Sequence, residues 1–194
     1  MVRSYLIFYN VALTLLWGAY LIYMLLNGFQ LDETSLLLLN IAQLAAILEI
    51  GHAALKWVKS SAFTTFIQVF SRIFVLLLLN LMPNGPFIGC CGINGLVLIT
   101  LAWSITEVVR YSYYTTILLN NESSILLTLR YTLFLVLYPM GVIGEALIIV
   151  SYLQNQDWAM TLPNIVIGLI FLSYFYFFPQ MYKHMLKQRK KKLA

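Results

Sequence analysis

The sequence predicts an all-α, polytopic membrane protein: a bundle of six transmembrane helices. Three observations predict it. Of the 194 residues 61% are hydrophobic and 10% charged, against roughly 45–50% and about 25% in a soluble domain. Apolar stretches long enough to cross hydrocarbon, about 20 residues each, recur six times along the chain. No stretch alternates apolar and polar residues as a lipid-facing barrel strand would, and open chain in hydrocarbon leaves backbone groups unpaired, so the spans must be helices.

The stretches run over 4–26, 36–55, 62–82, 93–119, 125–153 and 162–182. The first follows Arg3 and contains no small-residue cleavage site, so it is read as a retained span rather than a removed signal peptide. The breaks carry turn chemistry: Asn27-Gly28 with Asp32-Glu33, Lys59-Ser60-Ser61, Pro83-Asn84-Gly85-Pro86, Asn120-Asn121, and Gln154 to Asp157. Loops this short make neighbouring helices antiparallel. Residues 1–182 therefore form one six-span domain, and 183–194 form a basic tail.

The loops 27–35, 83–92 and 154–161 contain no Lys or Arg, whereas Arg3, Lys56, Lys59, Arg110 and the tail cations all fall on the opposite side. This is the positive-inside pattern and places both termini in the cytosol. The glycosylation triplet Asn121-Glu122-Ser123 then lies where it stays unmodified. The net charge of +5 is a property of the tail, since six of the twelve cations lie between Lys183 and Lys192; no nucleic-acid groove is implied. Such a tail suits anionic headgroups of membrane lipids. Its Lys191 and Lys192 also resemble the dilysine retrieval signal of endoplasmic-reticulum proteins. Cys90 and Cys91 are adjacent, a spacing that strains a mutual bridge and forms no metal-ligand pattern.

Ionisable groups inside spans are costly unless paired, so each requires an explanation. They are Glu49, His52, Arg72, Glu107, Arg110, Arg130 and Glu145. Glu49 and His52 are three residues apart, as are Glu107 and Arg110, so each pair shares a helix face. Gln68 precedes Arg72 by four residues, suiting an internal polar cluster. For Glu49, Gln68, Arg72 and Arg130 the expected role is structural; Arg110, beside Tyr111, Tyr113 and Tyr114, reads as a cation snorkelling among interfacial aromatics. The fifth span is unusual in placing Pro139, Gly141 and Gly144 before a carboxyl, Glu145. The proline removes a backbone donor and bends the helix, the glycines allow close approach, and Tyr138 and Glu145, seven residues apart, face one way. A phenol and a carboxyl at comparable depth form a candidate acid–base pair.

The string Leu129-Arg130-Tyr131-Thr132-Leu133-Phe134, followed by Tyr138-Pro139-Met140-Gly141-Val142-Ile143-Gly144-Glu145, resembles the very-long-chain 3-hydroxyacyl-CoA dehydratases of fatty-acid elongation. Agreeing stretches are Leu6 to Trp17 with Tyr9-Asn10, Leu48-Glu49-Ile50-Gly51-His52 leading to Gln68-Val69-Phe70-Ser71-Arg72, and Ala102-Trp103-Ser104-Ile105-Thr106-Glu107-Val108-Val109-Arg110-Tyr111. The resemblance implies six spans, residence in the endoplasmic reticulum and removal of water from 3-hydroxyacyl-CoA to give trans-2-enoyl-CoA, alongside a condensing enzyme and reductases. It matches the family's catalytic residues to Tyr138 and Glu145, and its other polar positions to Glu49, Gln68, Arg72 and Arg130. One departure is Ala53, where some members carry a cysteine behind an older phosphatase-like label; without a thiolate there, phosphatase chemistry is excluded. Dehydration needs one base and one acid and no cofactor or metal. Glu145 is assigned as base and Tyr138 as acid, with the reverse as the alternative. The CoA phosphates are expected at the cytosolic mouth near Lys56, Lys59, Arg110 or the tail. Two other classes make different demands on the sequence. A small proton-coupled transporter predicts an internal repeat, which the sequence lacks; a non-catalytic scaffold predicts loss of Tyr138 or Glu145, and both are present.

Overall fold

A computed structural model describes residues 2–83, 85, 87 and 92–193; Cys90, Cys91, Asn84 and Pro86, on which part of the loop reading rests, lie outside the described residues. Seven helices follow in order: α1 Val2–Leu26, α2 Glu33–Ala45, α3 Ile47–Ala54, α4 Ala62–Leu81, α5 Gly95–Leu118, α6 Ser124–Asn155 and α7 Leu162–Leu193. Helices α2 and α3 are the two halves of a single predicted span, interrupted at Ala46, so the architecture is the expected six-membered bundle. The basic tail continues α7 as helix through Leu193.

Two of the predicted turns, at Asp32 and Ser61, begin helices by capping them. Asp32 accepts from the Ser35 backbone while the Ser35 hydroxyl accepts from the Asp32 N–H, a reciprocal box that opens α2. Ser61, Asn94 and Ser123 cap α4, α5 and α6 with their side-chain oxygens. Each satisfies amide donors that a helix start leaves free.

Five spans, counting Glu33–Ala54 as one, are long and apolar enough to cross a membrane. The remaining helix, α5, has 24 residues and carries Glu107 and Arg110. Its position explains the lower apolarity: α5 packs against both α1 and α6, with Ile99, Ala102, Trp103, Glu107 and Tyr111 buried. A helix shielded by its neighbours can carry charge that a lipid-facing one cannot. Antiparallel α1 and α5 are tied by the Tyr20 and Thr100 hydroxyls, 3.1 Å apart, and Asn40 and Asn80 exchange amide hydrogen bonds between α2 and α4. Arg3 donates to the Leu118 carbonyl at 2.7 Å, and Tyr5 lies against His52. The start of α1, the α3–α4 turn with Lys56 and Lys59, and the end of α5 therefore share one end of the bundle.

Against α5, helix α6 comes closest at its glycines. A Cβ on Gly144 would stand 2.8 Å from Ile99 Cγ2 and 3.0 Å from the Gly95 carbonyl oxygen; one on Gly141 would stand 3.3 Å from Ala102 Cβ. Absent side chains bring the two backbones together, as the sequence suggested. Pro139 lies within α6, whose helix continues unbroken from Ser124 to Asn155.

Candidate active site

Glu145 is 6% exposed. Both of its oxygens are held from neighbouring helices: Trp103 Nε1–H on α5 donates to Oε1 at 3.1 Å, and the Tyr174 hydroxyl on α7 donates to Oε2 at 2.7 Å. The glycine contacts explain why the indole reaches it, since Trp103 Nε1 lies 3.9 Å from the Cβ position of Gly141. Two helical turns earlier, Tyr138 is half-buried and stacks on Phe178 and Tyr182 of α7, with ring centroids 5.4 and 6.2 Å away. The Tyr182 hydroxyl donates to the Leu135 carbonyl at 3.3 Å, pinning the two helices together. Tyr138 and Glu145 thus stand at the seam where α6 meets α7, with α5 behind the carboxyl.

Next to this seam runs a charged chain across three helices. Arg72 on α4 pairs with Glu107 on α5, and its guanidinium carbon lies 5.8 Å from the centre of the Trp103 ring. Glu107 also accepts from Arg110 at 2.6–2.7 Å. Arg110 in turn grips both oxygens of Glu49 on α3 at 2.7 Å, and Tyr111 donates to the same carboxylate. Two cations and two carboxylates cancel, the arrangement a low-dielectric interior demands.

This geometry revises several expectations. Glu49 turns to Arg110 and Tyr111 rather than to His52, whose Nε2 lies 3.0 Å from the Tyr5 hydroxyl and whose ring stacks on Trp57. Residues three apart share a face, but a guanidinium fork on another helix offers carboxylate oxygens a better match than a neighbouring ring nitrogen. The side chain of Gln68 is exposed and Arg72 turns from it toward Glu107. Arg110 does not snorkel: its donors are engaged by two carboxylates, so it is not free to meet a substrate phosphate. Glu107–Arg110 alone forms as its spacing suggested. Lys56 and Lys59 are exposed at the same end as Arg3.

Arg130, one helical stretch before Tyr138, differs from the other two intramembrane arginines. Its guanidinium sits over the rings of Tyr114, Tyr113 and Tyr131 at 4.4, 5.2 and 5.6 Å, and Nη2 donates to the Tyr114 hydroxyl at 2.8 Å. Among the described residues no carboxylate pairs with it. A cavity of about 360 Å³ opens elsewhere, between α1 and α3, lined by Tyr5, Ile47, Leu48, Gly51, His52, Leu55 and Trp57; a second, of about 270 Å³, lies at the start of α6. Neither reaches Tyr138 or Glu145. No group of three or more metal-binding side chains occurs among the described residues.

Nothing along the sequence marks Trp103 and Tyr174 as site residues. Trp103 stands within a string that matches the family and Tyr174 within an aromatic run, and no spacing along one helix reports a partner on another.

Residues 43–194 match the family model described as protein tyrosine phosphatase-like protein, PTPLA. The chain is 41% identical to the very-long-chain (3R)-3-hydroxyacyl-CoA dehydratase hpo-8 of Caenorhabditis elegans, over 100% of this chain and 96% of the relative. It is 37% identical to very-long-chain (3R)-3-hydroxyacyl-CoA dehydratase 2 of Mus musculus, covering 98% and 81%, and 33% identical to dehydratase 1 of the same species, covering 98% and 73%. No solved structure matches.

Proposed function

The chain belongs to the PTPLA family together with these very-long-chain 3-hydroxyacyl-CoA dehydratases, and from that premise we propose that it is a hydro-lyase converting 3-hydroxyacyl-CoA to trans-2-enoyl-CoA in very-long-chain fatty-acid elongation. The observation that carries the site is the carboxyl of Glu145, buried and oriented through both oxygens, two turns from the phenol of Tyr138 on one helix.

In the proposed reaction the Glu145 carboxylate takes a proton from C2 of the acyl chain. The released electron pair forms the C2–C3 double bond, and the C3 hydroxyl departs as water with the proton of the Tyr138 phenol. The proton gained by Glu145 then restores the phenol. A neutral phenol carries the proton the leaving group needs, and an ionised carboxylate is purely an acceptor, which favours this division of roles over the reverse. Trp103 and Tyr174 fix where the base points, which is how a scaffold makes proton transfer efficient. The substrate's anionic head is assigned to the cytosolic end, where Lys56, Lys59 and the tail cations are exposed.

We place the protein in the endoplasmic-reticulum membrane with both termini cytosolic, supported by the cations gathered at one end of the bundle. The chemistry requires a 3-ketoacyl reductase to supply the substrate and an enoyl reductase to consume the product, so the condensing enzyme and reductases of elongation are the expected partners. The test is to incubate purified protein in lipid nanodiscs with 3-hydroxyacyl-CoA of several chain lengths. Formation of the enoyl thioester, abolished by Tyr138→Phe and by Glu145→Gln in folded protein, is expected; near-normal turnover by either variant removes it from the mechanism.

A further inference from the structure

We propose that Arg130, within its tyrosine cage, is the contact for the phosphate-bearing end of the acyl-CoA, so that α6 alone spaces substrate head and reacting carbons. This rests on the acyl-CoA reading above and names the residue that holds the substrate's head.

The first observation is a charge without a counter-ion. Arg72 and Arg110 each meet carboxylates, whereas among the described residues Arg130 meets tyrosines and no carboxylate. Its Nη1 is shielded from solvent and has no hydrogen-bond partner among the described residues. A buried donor on a cation that lacks an acceptor is costly, and a phosphate oxygen would give Nη1 the charge-assisted acceptor it lacks. The rings of Tyr114, Tyr113 and Tyr131 lie 4.4, 5.2 and 5.6 Å from the guanidinium carbon and support the cation without neutralising it.

The second observation is distance. Arg130 precedes Tyr138 by eight residues and Glu145 by fifteen along one continuous helix, which is about 12 Å and about 22 Å of axial rise. A substrate carbon between the two catalytic groups stands about 17 Å from the Arg130 level. The pantetheine arm, from thioester sulfur to the first phosphate, extends roughly 16 Å at ordinary bond lengths. At 100° per residue Arg130 also falls on the same half of the helix as Tyr138 and Glu145. Position along the membrane agrees: Arg130 is in the second turn of α6, at the end carrying Arg3, Lys56 and Lys59, while Arg110, further along α5 toward that end, is engaged by Glu49 and Glu107.

The experiment compares one acyl chain on two carriers: 3-hydroxyacyl-CoA and the phosphate-free 3-hydroxyacyl-N-acetylcysteamine thioester, in nanodiscs. For Arg130→Gln, the loss of kcat/KM on the CoA substrate is expected to exceed the loss on the phosphate-free thioester by roughly tenfold to a hundredfold, the scale of one lost charge-assisted contact. Arg130→Lys, a point charge without the fork, should recover part of the difference, and desulfo-CoA should inhibit wild type more strongly than Arg130→Gln. Equal losses on both carriers would overturn the proposal, as would a loss that appears only in discs containing anionic lipid, which assigns the cage to a headgroup phosphate. Failure of both variants to fold would overturn it too, by making Arg130 a structural residue. Wild type that converts neither thioester refutes the dehydratase reading itself, a result separate from all of these.

Discussion

Replacing Glu107 by leucine tests the charged chain at its centre. The carboxylate is 2% exposed and serves two guanidiniums, Arg72 and Arg110. Arg110 retains Glu49, so the uncompensated charge falls on Arg72, whose side chain is 21% exposed and has no other carboxylate among the described residues. Breaking a buried pair from one side costs about 3–5 kcal/mol, and the partial exposure of Arg72 places this case near the lower figure. In a chain of this size about 2–4 °C of melting temperature follow each kcal/mol, so a loss of roughly 6–12 °C is expected for Glu107→Leu in thermal unfolding of nanodisc-embedded protein. Adding Arg72→Met removes both members of the pair and leaves Glu49 and Arg110 balanced; the double variant should return to within about 2 kcal/mol of wild type, because apolar replacement of a whole buried pair is close to neutral. Arg72→Ala alone should lower the folded yield. A double variant as unstable as the sum of its singles would show that the two residues do not interact, and the account of the chain would fall.

The proposed catalytic residues should separate chemistry from folding: Tyr138→Phe and Glu145→Gln are expected to melt near wild type and lose about 10²- to 10⁴-fold in kcat, the usual worth of a positioned acid or base. Tyr174→Phe and Trp103→Phe remove one donor each from Glu145 and should lower kcat several-fold with little change in KM; an effect on KM alone would count against an orienting role. Gly144→Ala puts a methyl within 3.0 Å of the Gly95 carbonyl oxygen and of Ile99, so a loss of about 1–3 kcal/mol is expected from overpacking, read as a lower melting temperature. Asp32, in the α1–α2 turn, has its carboxyl held below the ordinary range by the Tyr23 hydroxyl first and the Ser35 amide second. Its stabilisation is therefore present above about pH 4 and is lost as pH falls through the lowered native value, so Asp32→Asn should flatten the acid limb of a pH–stability curve. Asn121 should remain unglycosylated; an endoglycosidase-sensitive mass shift would reverse the orientation.

What the sequence revealed of this architecture follows from what a bilayer demands of every residue. Spans had to be helical and about 20 residues long, so the helix limits were legible to within a few residues, except that α7 runs eleven residues past the predicted end through the basic tail; the polar side chains inside the spans were conspicuous because each is an exception. The close approach at Gly141 and Gly144 was legible for the same reason, being a gap in a run of larger residues. The partners were not. Spacing along one helix places Glu49 beside His52 and Gln68 beside Arg72, yet the choice is made by which side chains reach across between helices, and Glu49 of α3 reaches Arg110 of α5. The hydrogen bonds from Trp103 and Tyr174 to Glu145 join residues 42 and 29 positions away, beyond the reach of any periodicity. The interruption of the second span at Ala46 was equally hidden, since Ala45-Ala46 is a favourable helical sequence.

The charged chain also orders the making of the protein. Glu49 and Arg72 belong to α3 and α4, whereas their partners Arg110 and Glu107 both belong to α5. A ribosome delivers the first two before either partner exists, so the half-synthesised chain carries an acid and a base without the partners that hold them in the finished bundle. Arrival of α5 resolves both at once, making it the keystone of biogenesis: shortened nascent chains that end before it should be retained by the insertion machinery or degraded, and chains that include it should be released into the bilayer.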